Sequence, residues 1–96
     1  MVASFARRIE CTARQTRGDA VRVTVVGGLN LDGTSWSMTE AEAIREIESG
    51  RGKFYCDVYG QSYLVVVGTD KSGVKFLKAA IDADSPTCLL RLPECR

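Results

Sequence analysis

The 96-residue chain contains no histidine. That removes at the outset the Ser-His-Asp triads, most zinc enzymes and the usual pH switch. Chemistry would have to come from four cysteines, from carboxylates, or from arginines set among aromatics. Cys11, Cys56, Cys88 and Cys95 are separated by 45, 32 and 7 positions. None of these spacings is that of a zinc finger. A thiol nucleophile needs a neighbour that lowers its pKa. Without histidine, the thiol to consider is Cys88 or Cys95, in the tail, near a lysine that favours the thiolate or a carboxylate that accepts its proton. Arg7, Arg8 and Glu10 stand where a secretory signal would carry its apolar stretch. The chain therefore reads as cytoplasmic, and four free thiols are the expectation. Cys11 and Cys56 lie in apolar strand-like runs, where a thiol packs as a small hydrophobe.

The carboxylates Glu40, Glu42, Glu46 and Glu48 fall on one helix, where a capping box and a solvated face account for them. Gly27-Gly28 precedes Leu29-Asn30 rather than a helix, and no Gly-Lys-Ser/Thr follows, so it is no phosphate loop. No catalytic residue, metal ligand or cofactor site emerges from these patterns.

Charge suggests binding instead. The formal net charge is only +1, yet Arg7, Arg8, Arg14, Arg17 and Arg22 crowd the first strands and four glutamates crowd the helix. If Arg8, Arg14 and Arg22 share an outer sheet face with Lys53, Tyr55 and Tyr59, that face could meet single-stranded nucleic acid by charge and stacking. The same residue types anchor protein interfaces. Trp36, the single tryptophan, is expected to cap the core beneath the helix N-terminus, with ligand stacking as the alternative.

The positioning elements follow from period and punctuation. With 45% hydrophobic and 26% charged residues, the composition is that of a soluble globular domain, and the length suits a single one. The longest aliphatic run, Leu64-Val65-Val66-Val67, is far short of a membrane span. Alternation predicts strands at 5–14, 21–26, 53–59, 62–69 and 74–81. Turns are expected around Gly18-Asp19, Gly60-Gln61 and Asp70-Lys71-Ser72-Gly73. Residues 29–38 read as a loop. Thr39-Glu40-Ala41-Glu42 is a capping box that opens a helix over 39–49, closed by Gly50. The order is ββαβββ: an α+β domain in which one amphipathic helix packs across one face of an antiparallel sheet of four to five strands. Pro86 and Pro93 make 82–96 an irregular tail, whose apolar ending over 88–93 is expected to fold back onto the core as an edge segment or a helical turn.

These pieces, in their order, resemble a group of small bacterial proteins known as domain of unknown function 3892. The resemblance runs from about Ile9 to Cys95. It is carried by the opening strand pair, Gly27-Gly28, Trp36-Ser37 before an Ala/Glu/Ile helix ending at Gly50, Phe54-Tyr55, Tyr59-Gly60, Val65-Val66-Val67, Phe76-Leu77-Lys78, Asp82 and the ending Leu89-Leu90-Arg91-Leu92-Pro93-Glu94-Cys95. The family's ending carries Arg-Thr and a pair of Asn where this chain has Lys78-Ala79 and Thr87-Cys88. A ligand held through those positions would be bound differently here. The resemblance implies a soluble single-domain bacterial protein and brings no activity, substrate or cofactor with it.

The reading is thus a non-catalytic domain that binds a protein partner or itself. Nucleic-acid binding through Arg8, Arg14, Arg22, Lys53, Tyr55 and Tyr59 is the alternative, and a thiol-dependent enzyme is the third. No cofactor, metal or membrane enters any of the three.

Overall fold

The capping box predicted at Thr39 forms. In the computed structural model, which describes residues 6–18, 20–58, 60–82 and 86–95, the Thr39 hydroxyl accepts from the Glu42 N–H at 3.1 Å. The Glu42 carboxylate accepts from the Thr39 N–H at 3.0 Å. This starts helix α1, Glu40–Glu48. Ala43 and Ile44 are its buried residues, and Ile47 packs against the same core.

Around α1 the described residues form strands β1 (Ala6–Arg8), β2 (Cys11–Arg17), β3 (Ala20–Leu29), β4 (Ser35–Thr39), β5 (Lys53–Val58), β6 (Gln61–Thr69) and β7 (Lys75–Ala79), and a short helix α2 (Thr87–Leu90). The class is α+β, as expected, but the single antiparallel sheet is not what forms. There are two sheets: one of four strands in the order β1-β5-β6-β7, and one of three in the order β2-β3-β4. The four-stranded sheet is mixed, because β1 runs parallel to β5.

The expected strand over 5–14 is divided between the two sheets, and the cause lies in two successive amides. Ile9 donates to the Tyr55 carbonyl at 2.8 Å; Glu10 donates to the Gly27 carbonyl, also at 2.8 Å. In a strand, successive N–H groups point to opposite sides. The chain therefore hands itself from one sheet to the other at Ile9-Glu10. Ile9 is wholly buried at this crossing.

Other differences have equally local causes. The residues read as a loop over 29–38 contain β4. It pairs with β3 from Val25↔Thr39 to Leu29↔Ser35, and the Asp32-Gly33 turn makes the two strands a hairpin. In β3, Val23 and Val26 are both buried, which strict alternation forbids. Ala13 pairs with Val25 but Arg14 with Val23, so Thr24 has no opposite number. That bulge shifts the pattern by one and turns both valines inward. The tail contributes both forms expected of its apolar ending, the helical turn α2 and a short segment laid on the edge of β2. Thr12 donates to the Pro93 carbonyl at 3.0 Å and accepts from Cys95 N–H at 3.1 Å through its own carbonyl.

The cysteine expectation is overturned. Cys11 and Cys95 form a disulfide, with Cα atoms 4.9 Å apart; Cys56 and Cys88 are free. The spacing of 84 residues hid this pair. Only the return of the tail to β2 brings the sulfurs together.

One core joins the elements. Ile9, Val23 and Val26 meet Phe54, Cys56, Val65, Leu77 and Ala79, with Ala43 and Ile44 of α1 and Leu89 of α2. The buried Thr12 hydroxyl donates to the Leu89 carbonyl at 3.4 Å, a polar tie between β2 and α2. No helix of the described residues is long and apolar enough to cross a membrane.

Candidate binding cleft

The handover at Ile9-Glu10 leaves a gap between β1 and the far end of the β3–β4 hairpin. The gap is an open cleft of about 630 Å³, lined by Arg7 and Arg8 of β1, Tyr55 of β5, Glu10, and the hairpin residues Leu29 and Leu31 among others.

Its walls are fixed by specific bonds. The Glu10 carboxylate accepts from Leu29 N–H at 2.9 Å. Gly28 allows the close approach beneath: a Cβ there would stand 2.4 Å from the Arg8 carbonyl oxygen. The bare position also makes room for the Trp36 ring, whose Nε1 would lie 3.0 Å from that Cβ. Trp36 packs 5.8 Å from the Phe54 ring centroid. The Arg7 guanidinium lies 5.4 Å over Trp36, within cation–π range. Trp36 Nε1 is buried without a hydrogen-bond partner among the described residues.

The hairpin tip is braced internally. Asn30 donates to the Thr34 carbonyl at 2.7 Å, and Gly33, at φ +88°, donates to the Asn30 carbonyl. The Asp32 carboxylate accepts from both the hydroxyl and the N–H of Thr34, bonds that hold its pKa below the usual carboxylate value. This braced tip holds Leu31 99% exposed and Leu29 58% exposed. Two neighbouring leucines in water beside a preformed cleft are the feature that stands out, since scattered exposed apolar residues need no explanation but grouped ones do.

Of the residues singled out from sequence, Arg8 and Tyr55 meet here. They are paired across β1 and β5, and Arg8 also holds Asp57 at 3.3 Å. Lys53, two positions before Tyr55 on β5, shares its side of the strand and is exposed. Trp36 lies beside the cleft, against Arg7. It belongs to β4 and packs against the core, the capping role expected of it. Arg14 and Arg22 do not join the group. Arg14 is on β2, bonded to the Leu92 carbonyl and the Thr12 hydroxyl. Arg22 is on β3, paired with Asp70 in the turn between β6 and β7. Tyr59 lies outside the described residues. Sequence reading missed Arg7, Glu10, Leu29 and Leu31. The available signal was two leucines, Leu29 and Leu31, just before an Asp-Gly turn, where polar residues are the rule.

The surroundings of both free thiols disfavour the thiolate. Burial, with nearby negative charge adding to it, pushes the Cys56 thiol up to about 11. Burial and a hydrogen bond to Asp82 raise that of Cys88 as well. Cys95 is bonded to Cys11. Among the described residues no group of three His, Cys, Asp or Glu side chains is placed to hold a metal ion.

A family model for a protein of unknown function (DUF3892) matches residues 8–93. The chain belongs to that family. Neither a curated protein nor a solved structure matches it. The matched span takes in Arg8, Glu10, Leu29, Leu31, Trp36 and Tyr55, and so nearly the whole cleft.

Proposed function

We propose that this member of the family is a non-catalytic binding domain that takes a protein partner at the cleft between β1 and the β3–β4 hairpin. One observation carries the reading: Leu29 and Leu31 stand exposed together on a tip that its own hydrogen bonds hold rigid. A rigid tip loses little conformational entropy on binding. Tyr55 and Arg7, residue types that anchor interfaces, stand in the same cleft.

The test is site-specific photo-crosslinking from position 31 in cells, followed by titration of the purified partner. Leu31→Asp and Arg7→Glu should each weaken binding by about tenfold or more, equivalent to about 1.4 kcal/mol. Lys71→Glu, on the turn between β6 and β7, should leave it unchanged. A partner whose affinity ignores both cleft variants would overturn the proposal. Among the described residues, the nucleic-acid reading draws on Arg7, Arg8, Lys53 and Tyr55. It would take precedence if single-stranded DNA or RNA bound with steep salt dependence and Arg8→Ala with Lys53→Ala abolished that binding.

A further inference from the structure

Among the described residues, two sheets present four edges. Three of them carry cations: Arg7 and Arg8 on β1, Lys75 and Lys78 on β7, and Arg14 on β2. Charged edges discourage strand-to-strand association. The edge of β2 is also partly covered by the tail segment at Pro93–Cys95. The fourth edge, β4, reads Ser35-Trp36-Ser37-Met38-Thr39 and has neither charge nor proline.

The groups that β4 turns outward follow from bonds on its other side. Gly27 gives its carbonyl to Glu10 on the β2 side, and Asn30 donates to Thr34 across the hairpin. Antiparallel ladders alternate bonded and non-bonded pairs. The β3–β4 bonds therefore belong to Gly28–Trp36 and Val26–Met38. The Ser35 and Ser37 pairings are the non-bonded ones, which leaves their N–H and C=O groups facing away from the sheet. Thr39 fits the same parity: its N–H goes to the Glu42 carboxylate instead of β3. Ser35 and Ser37 are both exposed.

We infer that β4 is a self-association edge, and that its occupant is β4 of a second copy of this chain. A two-fold axis at Trp36 sets Ser35 of one copy opposite Ser37 of the other. All four outward N–H groups then meet all four outward carbonyls. The same axis makes the two Trp36 residues a directly opposed non-bonded pair, the closest cross-strand arrangement. No other register satisfies every outward group of the two serines. The result is a continuous six-stranded sheet. Its short ladder makes a weak, concentration-dependent dimer, below the size of a standard interface. The inference stands apart from the cleft reading, since it needs only the purified chain.

Sedimentation equilibrium on the full chain, from about 5 to 500 µM, reads the outcome over the range expected of small interfaces. The wild type should pass from monomer to dimer. Ser37→Pro removes an N–H that the fold does not use, and Ser37→Lys places a charge on the edge. Each should raise the dissociation constant about a hundredfold, the equivalent of losing two or three net hydrogen bonds. Lys71→Glu should not move it. If Ser37→Pro fails to fold, Ser37→Lys decides alone. A wild type that stays monomeric throughout overturns the inference, as does a dimer that survives Ser37→Lys unchanged.

Discussion

Glu10 is bonded to the β3–β4 hairpin at two points: its N–H donates to Gly27 at 2.8 Å, and its carboxylate accepts from Leu29 N–H at 2.9 Å. One residue between two strands thus sets the angle at which the hairpin leaves β1, and with it the width of the cleft. Glu10→Ala should release Leu29 without breaking the backbone bond to Gly27. The expected cost is about 1 kcal/mol, that of one hydrogen bond with a charged acceptor in a partly exposed place. The Leu29 amide resonance should shift and its hydrogen exchange should quicken, while amides of β6 and β7 stay as they were.

Gly28 is a position of close approach, not of unusual backbone. A methyl group there would sit 2.4 Å from the Arg8 carbonyl oxygen, a backbone atom that cannot rotate away. Gly28→Ala should therefore cost about 1–3 kcal/mol, as overpacking does, and separate β1 from β3. Urea titration reads the loss. By contrast, Gly18→Ala leaves its methyl in open space. Any penalty there comes only from the positive φ of +59°.

The Cys11–Cys95 disulfide closes most of the chain. For a loop of that length the chain-entropy account gives about 4–5 kcal/mol, and measured losses run about 2–5 kcal/mol. Cys95→Ser should lower the melting temperature substantially. Mild reduction of the wild type should reproduce the effect, and reduction of the variant should add nothing. Alkylation near neutral pH should label Cys88 slowly and Cys56 hardly at all, because both thiols are pushed up and stay protonated. The rates should climb only on the alkaline side of the ordinary thiol value.

The capping box supplies a pH-dependent contribution with a definite sign. Bonds to Thr39 hold Glu42 below its ordinary value of 4.5, so the folded state favours the carboxylate. That stabilisation is present above the unfolded-state value and is lost as the pH falls through the lower folded-state value. Glu42→Gln keeps an acceptor for the Thr39 N–H but removes the charge. It should be less stable than wild type near neutral pH, and the difference should vanish in acid. Thr39→Ala should cost about 1 kcal/mol near neutral pH, and part of that cost should persist in acid, because the hydroxyl also accepts from the Glu42 N–H. Parallel thermal melts across pH 2.5–7, a window chosen about the ordinary carboxylate values, distinguish the two.

Much of the fold was legible in the sequence because its signals are local. The box at Thr39, the helix period through Ala43, Ile44 and Ile47, and the turn at Asp70–Gly73 each depend on residues within a few positions. So do strands β5, β6 and β7. The candidate site was less legible. Arg8, Arg14 and Arg22 look equivalent as a list of types. The structure separates them: Arg8 and Tyr55 share the cleft, Arg14 is bonded to Leu92, and Arg22 to Asp70.

By itself, then, the sequence determined the class, the helix, most of the strands and the family. What it left to the tertiary structure were relationships between distant residues. Two amides, Ile9 and Glu10, decide that there are two sheets and not one, since each finds its acceptor more than fifteen positions away. A bulge at Thr24 decides which valines face inward. The return of the tail to Thr12 decides that Cys11 and Cys95 are joined. In every case the deciding partner lies outside the range over which periodicity, capping and turn chemistry act. Backbone hydrogen bonds must be satisfied somewhere, and the sequence does not say where until the chain has folded.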